Sequence, residues 1–223
     1  MIFESRKKQR LRKIVEEEAE DLLSKLYPEL SKGEKHRIVA GIREKAGLFG
    51  LHDYIVNFLT RTKRGGYYKA GRLKVRHSLN REFIRHEIFH AIFKVLSYKK
   101  WGLVDDDVLR AVDREGKYGI AFAIDEMLAA IVSSEKSKKV PKESKLEGII
   151  LSANHEYQKL TSSRGVFIYP NPENPTGLYL DLKLLFNYLE AQKKGIGYTF
   201  IRMLMEGESD IRNVFTESIS VNS

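Results

Sequence analysis

The sequence predicts an α+β fold, helical over most of its length, with a small antiparallel sheet and two apolar helices at its centre. Three observations carry this expectation. Residues 4–27 and 31–47 place apolar side chains at helical spacing; from Tyr54 the pattern becomes β-branched, aromatic and alternating; and two apolar stretches, 81–96 and 118–134, have helical length. The expected organisation is an N-terminal helical segment over 1–50, a core over 51–135 and a mainly helical C-terminal segment over 144–223.

The first helix carries Leu11, Ile14, Ala19, Leu22, Leu23 and Leu26 among charged residues and stops at Pro28, which cannot continue a helix. Ser31 is the N-cap candidate of the second, which closes near Gly47. YIVNFLT, from Tyr54, reads as a strand and RTKRGG as a turn. In YYKAGRLKVRHS, Leu73 and Val75 alternate with Arg72, Lys74 and Arg76, as in a strand with one charged face. Asn80 caps the helix over 81–96, and the acidic run Asp105 to Asp107 opens a short helix. GIAFAIDEMLAAIVSS is apolar enough to be buried on most of its circumference. A polar, basic linker, SEKSKKVPKESK, leads to a helix over 144–161, a short strand GVFIY, the loop PNPENPTG, and helices over 178–193 and 197–206.

With no cysteine in 223 residues, disulfides, iron–sulfur clusters and thiolate metal sites are excluded, and a transition metal would be held by imidazole and carboxylate. The same absence fits a reducing cytoplasm. The opening MIFESRKKQRLRK is charged from residue 4, and no run of eighteen uncharged apolar residues follows, so neither a signal peptide nor a membrane anchor is expected. A charge-rich, cysteine-free composition with few amide side chains is that of a heat-adapted protein. The net charge is +9, but the basic residues are spread over 6–13, 61–76 and 136–145 rather than gathered on one element. That permits nucleic acid as a partner without pointing to it.

The chemistry lies in HEIFH, residues 86–90. Two imidazoles at i and i+4 share one helix face one turn apart, the spacing that two ligands of one zinc ion require, and Glu87 is placed to take a proton from an attacking water. The surrounding REFIRHEIFHAIFKVL is apolar on both sides of the motif. Two imidazoles and a carboxylate in such a helix would cost several kcal/mol in desolvation, roughly, unless paired or bound to a cation.

A catalytic zinc takes three protein ligands and keeps one position open. The extended HExxHxxGxxH pattern does not supply the third, because Phe93 stands at its glycine and Leu96 at its last histidine. Glu126, in the second apolar helix, is the stronger candidate, with small alanines beside it that would let another helix approach. Pairing with a basic side chain is its structural alternative, and Asp105, Asp106 and Asp107 are an alternative source of the ligand.

HEIFH followed by a glutamate-bearing helix resembles the gluzincins, the thermolysin-like zinc peptidases, over residues 70–135. The resemblance implies zinc ligation by His86, His90 and Glu126 and water activation by Glu87. It also implies a zincin-like core, with a sheet above the motif helix whose rim strand, here AGRLKVRHS, would pair with an extended peptide substrate. Two departures stand out. Ala130 occupies the position where many gluzincins carry an aspartate that orients the first histidine; Asp125, adjacent to Glu126, is a candidate substitute but points about 100° around the helix from it. No single oxyanion donor is evident either; His155, Tyr157 and Tyr118 are candidates.

The expected activity is thus zinc-dependent peptide hydrolysis. The competing expectation is a nucleic-acid-associated or regulatory protein on a zincin-like scaffold, with RKKQRLRK and RTKRGGYYKAGRLKVR on phosphates and Tyr67 and Tyr68 stacking on bases.

Overall fold

A computed structural model describes residues 2–45, 67–69, 72–74, 81–98, 100–101, 117–134, 139–162 and 177–221. The chain divides into two compact units, Met1–Leu96 and Ser97–Ser223.

In the first unit, helix α1 (Ile2–Leu26) buries Ile14, Val15, Ala19, Leu22, Leu23 and Leu26, one stripe at helical spacing. It ends two residues before Pro28 and packs on α2 (Lys32–Lys45). The start of α2 is a capping box: the Ser31 amide donates to Glu34 Oε2 at 2.8 Å, and the Glu34 amide donates back to Ser31 Oγ at 3.3 Å. These bonds hold the Glu34 carboxyl below its ordinary pKa, the Ser31 hydroxyl contributing most. Strands β1 (Tyr67–Lys69) and β2 (Arg72–Lys74) form an antiparallel hairpin in the register Tyr67↔Lys74, Tyr68↔Leu73, Lys69↔Arg72. Helix α3 (Arg81–Ser97) carries HEIFH.

The α+β core with its antiparallel sheet is not what forms. The described residues are overwhelmingly helical, and the one ladder among them is the three-residue hairpin β1–β2. Two such strands, with Tyr67, Tyr68 and Leu73 as their only apolar residues, cannot form a layer of a core. The alternation over Arg72, Leu73 and Lys74 is a genuine extended signal, but it is too short to build more than a hairpin. The strands expected at YIVNFLT and GVFIY, the loop PNPENPTG up to Thr176, and the helix expected from Asp105 lie outside the described residues.

The second unit is a helical assembly. Helix α4 (Lys117–Ser133) is apolar on most of its circumference, and a 3-10 turn (Glu143–Lys145) leads into α5 (Leu146–Ser162). Then come α6 (Gly177–Gln192), α7 (Ile196–Met205) and α8 (Ile211–Ser220). Helix α5 packs on α6 and α8, α6 on α7, and α4 on both α6 and α7. Helix α7 is central: of its ten residues only Arg202 and Met203 are not buried.

Local chemistry explains the turns. Gly195 sits at φ 100°, left-handed backbone that only glycine adopts without strain, and Glu190 Oε1 accepts from the amides of both Gly195 and Gly197 at 2.9 Å. A Cβ on Gly197 would come within 2.9 Å of Phe186 Cδ2, so a side chain there would push α6 from α7. Asp210 caps α8 by accepting from the Asn213 amide at 3.1 Å, and Asn154 of α5 accepts from the Ile211 amide at 2.9 Å. Trp101 Nε1 donates to the Met205 carbonyl at 2.9 Å, and Lys100 pairs with Glu206 beside it at 2.8 Å.

No helix among the described residues is long and apolar enough to cross a membrane.

Candidate metal centre

Helix α3 holds the motif among mostly apolar neighbours. Ile84, Ile88, Phe89, Ala91, Ile92 and Phe93 are buried, as are Glu87 at 2% exposure and His90 at 5%. His86 is half-buried. Nine of the ten positions from Ile84 to Phe93 are buried, so this stretch of α3 behaves as a core element that carries its own chemistry.

The two imidazoles meet edge to face, with ring centroids 4.6 Å apart and planes at 89°. Their Nε2 atoms are 3.0 Å apart. Two bare lone pairs, or two N–H groups, would repel at that separation, so the pair requires either one proton or one cation between its nitrogens. Two nitrogens bound to a tetrahedral zinc at about 2.0–2.1 Å lie about 3.3 Å from each other. The observed separation is close to that value.

His86, His90 and Glu126 each offer one ligand atom, and these atoms lie within 4.8 Å of one another. Nitrogen and carboxylate oxygen are the donors that zinc accepts in a cysteine-free chain, so the donor set fits the metal.

Glu126 lies on α4, half-buried, between buried Ile124, Asp125 and Met127. Asp125 is 6% exposed, and Ala130, at the position where an orienting aspartate was sought, is half-buried. Asp105, Asp106 and Asp107 lie outside the described residues.

The proposed oxyanion donors separate. His155 is exposed on α5, whereas Tyr157, two residues on, is fully buried in the second unit's own core. Among the described residues the Tyr157 hydroxyl has no hydrogen-bond partner. Burial, with the Glu208 charge adding to it, pushes its pKa well above the ordinary tyrosine value. Tyr118 stands in the first turn of α4.

A group that sequence reasoning passed over is the ionic cluster joining α1 to α3. Glu18 is 6% exposed and Arg85, the residue before His86, is 8% exposed. Arg85 donates to Glu18 Oε2 at 2.8 Å and to Asp21, while Arg81 donates to Glu18 Oε1 and to Glu17, each at 2.9 Å. Lys25 also reaches Asp21, at 2.8 Å. Burial alone would raise the Asp21 pKa, but the bonds from Lys25 and Arg85 outweigh it and hold the carboxyl below its ordinary value. The signal was present in sequence as Glu17, Asp21 and Lys25 at four-residue spacing, matched by Arg81 and Arg85, but spacing alone reads equally as a solvated face.

Comparison with protein-family models, with curated proteins and with solved structures finds no match to this chain.

Proposed function

We propose that the chain is a zinc-dependent peptidase, with His86, His90 and Glu126 as metal ligands and Glu87 as general base. The observation that carries this reading is the convergence of two imidazole nitrogens 3.0 Å apart with a carboxylate oxygen, on a motif whose adjacent glutamate is almost wholly buried. A carboxylate next to the ligand pair is placed to act as a proton acceptor.

Zinc, when bound, lowers the pKa of a coordinated water to about 7 and polarises a carbonyl oxygen. The protein's own groups supply the rest. His86 and His90 fix the direction of approach, because their rings leave the same face of α3. Glu87 lies about 60° around the helix from His90. There it takes the proton from the attacking water and returns it to the departing amine nitrogen. The proposed ligand set resembles that of a gluzincin, but the described residues hold no sheet beyond the β1–β2 hairpin, so recognition of an extended substrate by a rim strand forms no part of this reading. A cytoplasmic setting is part of the same reading, and the cysteine-free sequence is compatible with it.

The competing reading, a nucleic-acid-associated or regulatory protein, is supported by the net charge of +9. Of its basic runs, 6–13 belongs to helix α1, while 61–66 and 75–76 lie outside the described residues.

The test is to incubate zinc-loaded protein with a mixture of unstructured peptides and to read new termini by mass spectrometry. Cleavage is expected in the wild type. Glu87→Gln should retain the metal and lose about 100-fold or more of the rate. Equal cleavage by Glu87→Gln would remove it as the base. Salt-sensitive retention on DNA, without cleavage of any peptide, would favour the competing reading.

A further inference from the structure

Because zinc ligands must be held to about half an ångström, the rotation of α3 about its own axis matters to the site as much as the identity of its histidines. Side-chain tips lie roughly 5–6 Å from a helix axis, so a 20° rotation would carry both Nε2 atoms about 2 Å away. Something has to resist that rotation. The apolar residues of α3 do so weakly, since they cover nearly the whole circumference and one apolar face resembles the next.

The ionic cluster has the direction that the apolar contacts lack. Arg81 and Arg85 stand one turn apart on one side of α3, and Arg85 precedes His86 by a single residue. Glu18 uses both of its oxygens, one on each arginine, and Asp21 takes a second bond from Arg85. The Arg85 and Glu18 side chains are only 10% and 8% exposed, so this pair is little screened by solvent, unlike the outer pair of Arg81 with Glu17 at 55% and 43%. Such a clamp tolerates little rotation, because turning α3 would separate a buried arginine from its carboxylates and leave both charges unpaired.

We propose that Glu18 of α1, acting through Arg85, is a positioning residue for the metal centre: it sets the rotation of α3 and hence the aim of His86 and His90. This rests on the reading of His86, His90 and Glu126 as metal ligands. It gives the N-terminal helix a part in the chemistry although none of its residues belongs to the ligand set.

The experiment measures zinc affinity by competition with a chromophoric chelator, well below the melting temperature, for the wild-type full chain and for Glu18→Gln, Arg85→Lys and Glu17→Gln. Helix content is checked in each by circular dichroism. Glu18→Gln, nearly identical in shape, is expected to bind zinc about tenfold more weakly, in the range found for groups that orient metal ligands. Arg85→Lys, which keeps the charge but loses the fork, should fall in between, and Glu17→Gln should stay within about twofold. If Glu18→Gln melts lower but binds zinc as tightly as the wild type, the pair is merely structural and the inference is overturned. If Glu18→Gln does not fold, Arg85→Lys decides in the same way. A wild type that binds no zinc would overturn the ligand assignment itself, an outcome distinct from a wild type that binds and a variant that binds equally well.

Discussion

Two side chains a short distance apart in sequence, Glu87 and His90, are both buried in a helix whose neighbouring positions are mostly apolar. That is the strongest residue-scale argument for chemistry at this site, and it was legible in sequence because HEIFH combines ligand spacing with an apolar surround. Tyr157 was legible only as a tyrosine. The structure gives it a fully buried hydroxyl with no hydrogen-bond partner among the described residues. Replacing it removes a desolvation cost instead of a bond, so Tyr157→Phe should leave the denaturant midpoint unchanged or raise stability by up to about 1 kcal/mol. A loss of more than about 1 kcal/mol would mean that the hydroxyl is satisfied. Asp21 supports a pH prediction. Its folded pKa lies below the ordinary 3.8, so its contribution to stability is present above that value and is lost as pH falls through the lower folded value. Thermal melts should therefore show the advantage of wild type over Asp21→Asn shrinking below about pH 4. A constant difference down to pH 2.5 would contradict the pairing.

At the scale of elements, the helices were legible, and the extended run at 67–74 was legible as extended but not as a hairpin too small to be a core sheet. The stripe in α1, the break before Pro28, the Ser31 cap and the all-round burial of α3 follow from residue spacing that survives in the fold. The extended run failed as a sheet because three-residue strands with three apolar side chains can pair but cannot cover a core. Helix α8 was missed, although Asp210 followed by Ile211, Val214, Phe215 and Ser218 is a cap and a buried stripe. Its shortness made the pattern weak beside the long helices before it. The cap can be tested: Asp210→Ala should cost about 1 kcal/mol in denaturant unfolding, because the Asn213 amide loses its acceptor. An unchanged midpoint would mean that the Asn154 bond to Ile211 suffices to start the helix.

For the whole molecule, the two units differ in how they are organised. Ser97–Ser223 encloses α7 within other helices, while Met1–Leu96 joins α1 to α3 through charges. A sequence can show that a residue is charged, but not which distant charge it will meet; Glu18 and Arg85 are 67 residues apart. For the same reason Glu126 was visible as an oddity in an apolar helix, and its grouping with His86 and His90 needed three dimensions. The account as a whole stands on that group binding a metal. Elemental mass spectrometry of protein purified without added metal or a histidine tag, and then equilibrated with zinc, measures this directly. The account predicts about one zinc per chain in the wild type and its loss in His86→Ala and in Glu126→Ala. A wild type that stays metal-free after incubation with zinc would contradict it, and the 3.0 Å contact between His86 and His90 would then be a hydrogen bond between two rings.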